Sequence, residues 1–251
     1  LSSTKEAPKR LLSLERKIEE IESIGIDNLV LLEFDDEQKN IEPTLFIKDI
    51  LLNQLQGEFI VVGEDFRFGK KAGGSVEMLD QYKNIYSYKL NIVKELQDNK
   101  KKISSTYIRQ LLADGEIAKA NELLGRRFLL SGEVIGGRQI GRTLGFPTAN
   151  IANCPKMTII KSGVYLTEII VDGKKYISVT NVGDNPTFKD RDYSVETHIL
   201  DFSEDIYGKN VTVEFLHRLR DEEKFQHIDK LVEAIKRDIY MAKDIYNKKY
   251  V

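Results

Sequence analysis

The chain has 251 residues, 41% hydrophobic and 31% charged, with a formal net charge of −2. That length suits two ordinary domains, the apolar share excludes general disorder, and the balanced charge excludes a bulk basic face for nucleic acid or an anionic membrane. The single cysteine, Cys154, excludes an intrachain disulfide and points to a reducing, cytoplasmic setting, while no apolar run reaches the ~20 residues that span a bilayer.

From Leu11 to Ile24 apolar residues recur at helical spacing and stop at Gly25, which predicts an amphipathic helix. Asn28 to Phe34 (NLVLLEF) reads as a short strand, Leu45 to Leu55 as a helix after Pro43, and Phe59 to Val62 as a second strand. A glycine-bearing loop, Gly63 to Gly74, leads to Ser75, the expected N-cap of a helix to about Tyr82, and a strand follows at Tyr86 to Val93. Strands alternating with helices imply crossover units, so the first half is expected to be an open α/β domain with a parallel sheet. Ser104, Ser105 and Thr106, good helix-capping residues, are followed by two short helical patterns, Tyr107 to Leu112 and Glu116 to Leu124, that stop at Gly125, and the domain boundary is placed near Gly125.

Beyond Arg127 the pattern becomes short β-branched and aromatic runs, FLLSGEVI, GVYLTEIIV, KKYISVTNV, SVETHIL and NVTVEFL, with a hairpin signal at Asp172-Gly173. Such runs predict an all-β barrel or sandwich. A closing helix is expected from about Ile228 to Tyr246, with Leu231, Ile235, Ile239, Ala242 and Ile245 on its apolar face.

The densest chemical signal is GGRQIGRTLGFPTAN, Gly136 to Asn150. Glycines let backbone approach a phosphate and arginines donate to it. Thr148 and Asn150, two apart, share a face if they lie on a strand and offer a hydroxyl and an amide oxygen to Mg²⁺ or phosphate. The same glycines also suit a plain surface hairpin, and from these residues alone both readings stay open. No GxxxxGK[ST] loop occurs, which excludes an ordinary P-loop kinase.

GRTLGFPTAN, GVY, NVGDNPTF, SVETHILDF and DIYGKNVTVEFLHRLRDEEKF follow one another in the order and spacing of riboflavin kinase, which residues 127 to 246 resemble. The resemblance implies a six-stranded Greek-key barrel that binds Mg-ATP through Gly136, Gly141, Arg142, Gly145, Pro147, Thr148 and Asn150, with Thr148 and Asn150 as magnesium ligands. It also implies Glu196 as the catalytic carboxylate, a base for the ribityl hydroxyl as it attacks the γ-phosphorus. Asp201 is a weaker candidate and His198, which shares a face with Glu196, suits packing. Asn181, Thr187, Arg218 and Arg220, with Glu223, are expected to frame the flavin or the nucleotide.

The first half is similar to the FMN adenylyltransferase module of bacterial bifunctional FAD synthetases, in VVGEDFRFGKKAGG and ISSTYIRQLL. This implies site roles for Gly63, Asp65, Phe66, Phe68 and Gly69, and an ATP phosphate site at Ser105, Thr106 and Arg109. The family's HxGH segment has no counterpart: the histidines are His198, His217 and His227. The expectation is therefore an incomplete adenylyltransferase region at 1–125, its activity impaired, followed by a kinase domain at 126–251. The expected fold is thus an incomplete nucleotidyltransferase-like α/β domain plus a Greek-key barrel with a C-terminal helix. Expected ligands are Mg²⁺, ATP and ADP, riboflavin, FMN and FAD, with no nucleic acid or membrane partner and a monomeric or weakly associating chain. Rival readings are a flavin-binding protein without turnover and an OB-type nucleic-acid barrel, the latter disfavoured by the near-neutral charge.

Overall fold

Two stretches of chain gather separate cores within the residues that the computed structural model describes, 8–137, 140–152, 157–183 and 193–250. One unit runs from Glu20 to Ile103, and the other takes Ser104 onward together with the chain before Glu20. The amphipathic helix of the opening segment is α1 (Leu14–Ser23).

In the Glu20–Ile103 unit, Asp35 caps α2 (Asp36–Asn40) by accepting from the Gln38 amide at 2.8 Å. Pro43 starts α3 (Pro43–Leu45), where its missing N–H costs nothing. The helix expected to follow is wound as a π-helix over Phe46–Gln54, its end marked by the Leu55 amide donating to the Ile50 carbonyl, five residues back. Strand β1 (Phe59–Gly63), helix α4 (Val76–Tyr86) and strand β2 (Lys89–Val93) form a crossover unit, and the two strands pair in parallel, Phe59 opposite Lys89. Ser75 caps α4 as expected. Strands β3 (Gln97–Asp98) and β4 (Lys101–Lys102) make a small hairpin. Ile47, Ile60, Phe68, Leu79 and Tyr88 are the buried centre, and the Tyr88 hydroxyl donates to the Leu79 carbonyl at 2.5 Å.

The expected strand at Asn28 to Phe34 is not formed. The segment pairs with nothing in the ladder, and Leu31 and Phe34 are 60% and 72% exposed. An apolar run becomes a strand only beside a partner that takes its N–H and C=O groups, and the parallel sheet here holds just β1 and β2 among the described residues.

The second unit begins with α5 (Ser105–Asp114) and α6 (Ile117–Leu124), each stopped by a left-handed glycine, Gly115 and Gly125. Both helices turn their apolar faces into the barrel: Ile108, Leu111, Leu112, Ile117 and Ala120 share one core with Phe128, Tyr165 and Phe215. By packing, the division of the chain thus falls at Ser104, ahead of the helices, whereas the sequence pattern changes at Gly125.

Strands β5 (Phe128–Ile135), β6 (Ala149–Ile151), β7 (Gly163–Val171), β8 (Lys174–Gly183), β9 (Ser194–Ile199) and β10 (Asn210–Arg220) close a six-stranded antiparallel barrel, order β10-β5-β6-β9-β8-β7. Strand β10 returns beside β7, which makes β7 to β10 a Greek key, and closure leaves no free edge. The β7–β8 turn has φ of 48° at Asp172 and 78° at Gly173, the two positive values a tight primed hairpin needs. A short helical turn, α7 (Ile140–Thr143), lies between β5 and β6.

Alternation along β9 sends Val195, Thr197 and Ile199 inward and Glu196 and His198 to the outer face. The inward hydroxyls satisfy one another: Ser178, Thr167, Thr180 and Thr197 form a buried chain with O···O distances of 2.7, 2.7 and 2.9 Å. On the outer face, α8 (Ile228–Lys249) packs Ala242 and Ile239 against Val164, Leu166, Val179 and Leu216.

Candidate active site

Between the outer barrel face and α8 lies a cavity of about 280 Å³, walled by Val164, Val179, Leu231, Ile235 and Ile239, with Glu196, Asn181, Thr148 and Arg220 among its polar groups, beside His198, Glu222, Glu223 and Asp238. The cavity is mainly apolar with a few convergent polar groups, as expected of a pocket for a small planar ligand. A second cavity, about 380 Å³, opens on the other side of β6 and is lined by Arg142, Pro147, Thr148, Thr197 and the 202–207 segment. Thr148 lines both.

The ladder explains why these groups meet. Asn150 is the Cα partner of Glu196, and Asn181 pairs with Glu196 from the other side, so the three residues lie abreast on β6, β9 and β8. Thr148 immediately precedes β6. Ahead of it the chain turns tightly, with the Phe146 amide donating to the Gly141 carbonyl at 2.8 Å. Only glycine fits at 141, where a Cβ would stand 2.3 Å from the Phe146 carbonyl oxygen. At Gly137 an added Cβ would lie 2.2 Å from the Asn150 amide nitrogen, a side-chain end that could shift aside. Gly145, three residues before Thr148, has φ of 86°, and a Cβ at Gly136 would meet open space.

Arg220 is fixed before any ligand arrives. Its Nε and Nη2 donate to the Asp238 carboxylate at 2.9 and 2.8 Å, its Nη1 donates to the Asp221 carbonyl at 2.9 Å, and its guanidinium lies 5.8 Å from the Phe225 ring centroid. Burial works against its charge, but the Asp238 carboxylate more than offsets this and holds the guanidinium's pKa above its ordinary value. Asp238 is 2% exposed. Sequence reasoning missed it, although an acid in the apolar stripe between Ile235 and Ile239 was a readable signal. Glu222, Phe225 and the α8 wall were also missed, since nothing local shows that a C-terminal helix closes a pocket.

Other expected site residues lie elsewhere. Arg218 lines neither cavity; it donates to the Ser162 carbonyl at 2.8 Å and to Asp221 at 2.6 Å, and its guanidinium sits 5.9 Å from the Tyr165 ring centroid. Thr187, Cys154 and the Asn185-Pro186 turn fall outside the described residues. Asp201 is exposed and paired with Lys243 at 3.2 Å.

In the Glu20–Ile103 unit, Gly63 ends β1 and Asp65 follows on an exposed turn, ion-paired with Lys102, which also binds Glu95. The hydrogen bond from Lys102 and its charge hold the Asp65 carboxyl below the usual carboxylate range. Phe66 and Phe68 stack with centroids 5.5 Å apart, and Phe68 belongs to the core, followed by Gly69 at φ 69°. Ser105, Thr106 and Arg109 belong to the other unit. Ser104 is the cap of α5, Ser105 and Thr106 are exposed in its first turn, and Arg109 Nε donates to the Lys9 carbonyl at 2.8 Å.

A closed Greek-key barrel with an apolar cavity and a second cavity that share a threonine, and with Glu196 on the outward strand face of the first, is a site of the small-molecule transferase class. Residues 124–246 match the family model for riboflavin kinase and residues 1–107 that for FAD synthetase. The chain is 36% identical over 249 residues to the bifunctional riboflavin kinase/FMN adenylyltransferase of Buchnera aphidicola subsp. Schizaphis graminum, covering 98% of this chain and 80% of that protein. It is 34% identical to the protein of the same name from Escherichia coli strain K12, with 98% and 79% covered. A solved structure named as a macrolide-efflux protein from Streptococcus pneumoniae superimposes with a TM-score of 0.85 at 33% identity, covering 93% of this chain and 75% of that one. No helix among the described residues is long and apolar enough to cross a membrane. The chain belongs to the bifunctional riboflavin kinase/FMN adenylyltransferase family, enzymes of flavin cofactor synthesis, and carries both domains.

Proposed function

We propose that the barrel transfers the γ-phosphoryl group of Mg-ATP to the ribityl 5′-hydroxyl of riboflavin, giving FMN and ADP. The flavin occupies the apolar cavity under α8, and the nucleotide the cavity lined by Arg142, Pro147 and Thr197. The observation that carries this reading is Thr148, which lines both cavities and so stands where phosphate and acceptor would meet, on the side that also presents Glu196. Glu196 takes the hydroxyl proton as the oxygen attacks, and Arg220, pinned by Asp238, keeps a fixed positive charge in the same cavity.

A divalent ion suits this donor set. No three His, Cys, Asp or Glu side chains gather as a metal group among the described residues, so the ion would rest on the Thr148 hydroxyl, the Asn150 amide oxygen and phosphate oxygens, hard ligands that fit Mg²⁺. When bound it neutralises charge on the transferring phosphoryl group. We assign adenylyl transfer from ATP to FMN to the N-terminal region, 1–125, with Gly63, Asp65, Phe66, Phe68, Gly69, Ser105, Thr106 and Arg109 as candidate residues, and kinase activity to 126–251. Substrates are the small molecules ATP, riboflavin and FMN, in a cytoplasmic setting.

Incubating the protein with riboflavin, ATP and Mg²⁺ and resolving flavins by chromatography tests the kinase assignment. FMN is expected in step with ADP and is lost on chelation; flavin binding without FMN would instead support a non-catalytic flavin carrier.

A further inference from the structure

The ladder that joins the nucleotide-side segment to the Glu196 strand is short. Between β6 and β9 it pairs only Ala149 with Thr197 and Asn150 with Glu196 among the described residues. One residue beyond, the register sets His198 opposite Thr148. There the preceding residue, Pro147, has no N–H to give, and its carbonyl is taken by a side chain: His198 Nδ1 lies 2.8 Å from the Pro147 oxygen. A carbonyl only accepts, so Nδ1 carries the proton and donates. The imidazole also stands edge-on to Phe146, centroids 5.7 Å apart and planes at 80°. Two consecutive residues ahead of Thr148 are thus held by one ring, and that ring sits two positions from Glu196 on the same outward face of β9.

We propose that His198 is a positioning residue for phosphoryl transfer: its Nδ1–H clamps the Pro147 carbonyl and so sets Thr148, and the phosphate it contacts, against Glu196. This rests on the kinase reading of the site. The clamp lies on the outer strand face and lines the apolar cavity with Glu196, yet acts on backbone that forms a wall of the nucleotide cavity. Loss of the donor should therefore act on the nucleotide side, where displacement of a reacting group by about 1 Å can cost on the order of a hundredfold.

Two substitutions separate the contributions of the ring. His198→Phe keeps an aromatic edge on Phe146 and removes the donor; His198→Asn removes the ring and offers an amide N–H near the Nδ1 position. Steady-state kinetics with varied Mg-ATP, riboflavin binding by flavin fluorescence, and thermal melting are measured on wild type and both variants. The expected result is a kcat/KM for Mg-ATP lowered roughly ten- to a hundredfold in His198→Phe, a drop larger than any change in riboflavin affinity, since the ring also lines the apolar cavity, and substantial recovery in His198→Asn. His198→Phe with wild-type kcat/KM, equal loss in both variants, or a loss matched by the fraction of unfolded protein would each overturn the assignment. A wild type that makes no FMN would overturn the kinase reading and this inference together, whereas an active wild type with an equally active His198→Phe overturns this inference alone.

Discussion

The barrel unit and the Glu20–Ile103 unit are built from comparably apolar sequence, yet they bury it very differently. In the barrel every strand has two neighbours, and one core runs from α5 through the interior to Phe215. In the other unit two parallel strands carry Phe59 and Val61 at 59% and 53% exposure, and the apolar run at Asn28 to Phe34 stays uncovered. Closure satisfies backbone and side chains together, so a barrel strand is fixed by its partners, whereas a strand-like sequence without a ladder remains an extended, solvated segment.

The sharpest way to break this contrast is at the seam between barrel and α8. Asp238→Ala leaves the Arg220 guanidinium buried without its partner, and breaking such a pair costs about 3–5 kcal/mol. Amide exchange should accelerate across β5 to β10 and α8, with Glu20–Ile103 unchanged. Leu112→Ala comes next, at about 2–5 kcal/mol for a fully buried leucine. Although Leu112 precedes the barrel, exchange should rise in the barrel strands, because α5 belongs to that core; a rise confined to Glu20–Ile103 would contradict the division at Ser104.

A smaller effect marks the other unit. Burial pushes the Tyr88 phenol up to about 12 from its ordinary value of 10.0. Folding therefore favours the neutral phenol, a contribution fully present below the unfolded value and lost as pH rises through the folded one. The Glu20–Ile103 unit should loosen between those two values, as followed by tyrosinate absorbance and circular dichroism. Tyr88→Phe should remove that dependence at a cost of about 1 kcal/mol for the lost bond to the Leu79 carbonyl. The smallest effect is expected from Gly137→Ala, whose methyl must displace the Asn150 amide. The KM for ATP should rise several-fold in flavin kinase assays, with melting unchanged.

Much of the barrel was legible because its signals are local. The GVYLTEIIV and KKYISVTNV runs, split by Asp172-Gly173, became β7 and β8 with nearly the expected ends, and SVETHIL became β9. The three-residue β6 was hidden, since its strand character comes from β5 and β9. The run at Asn28 to Phe34 misled for the complementary reason, a strong local pattern without a partner. Within the site, Thr148, Asn181, Glu196 and Arg220 were named from sequence and converge on one cavity. Asp238 and the α8 wall were not, because they arrive from distant chain, and Arg218, alternating with Arg220 on one strand, is diverted to Ser162 and Asp221 by the bulges in β10.

Glu196→Gln is the most direct trial of a phosphoryl transfer centred between the two cavities. The amide keeps the shape of the side chain and cannot take a proton, so FMN formation should fall by about two to four orders of magnitude. ATP and riboflavin should still bind within about twofold of wild type, as expected when only a transition-state interaction is removed. FMN formation within a few-fold of wild type would contradict the assignment of the base and of the cavity it faces.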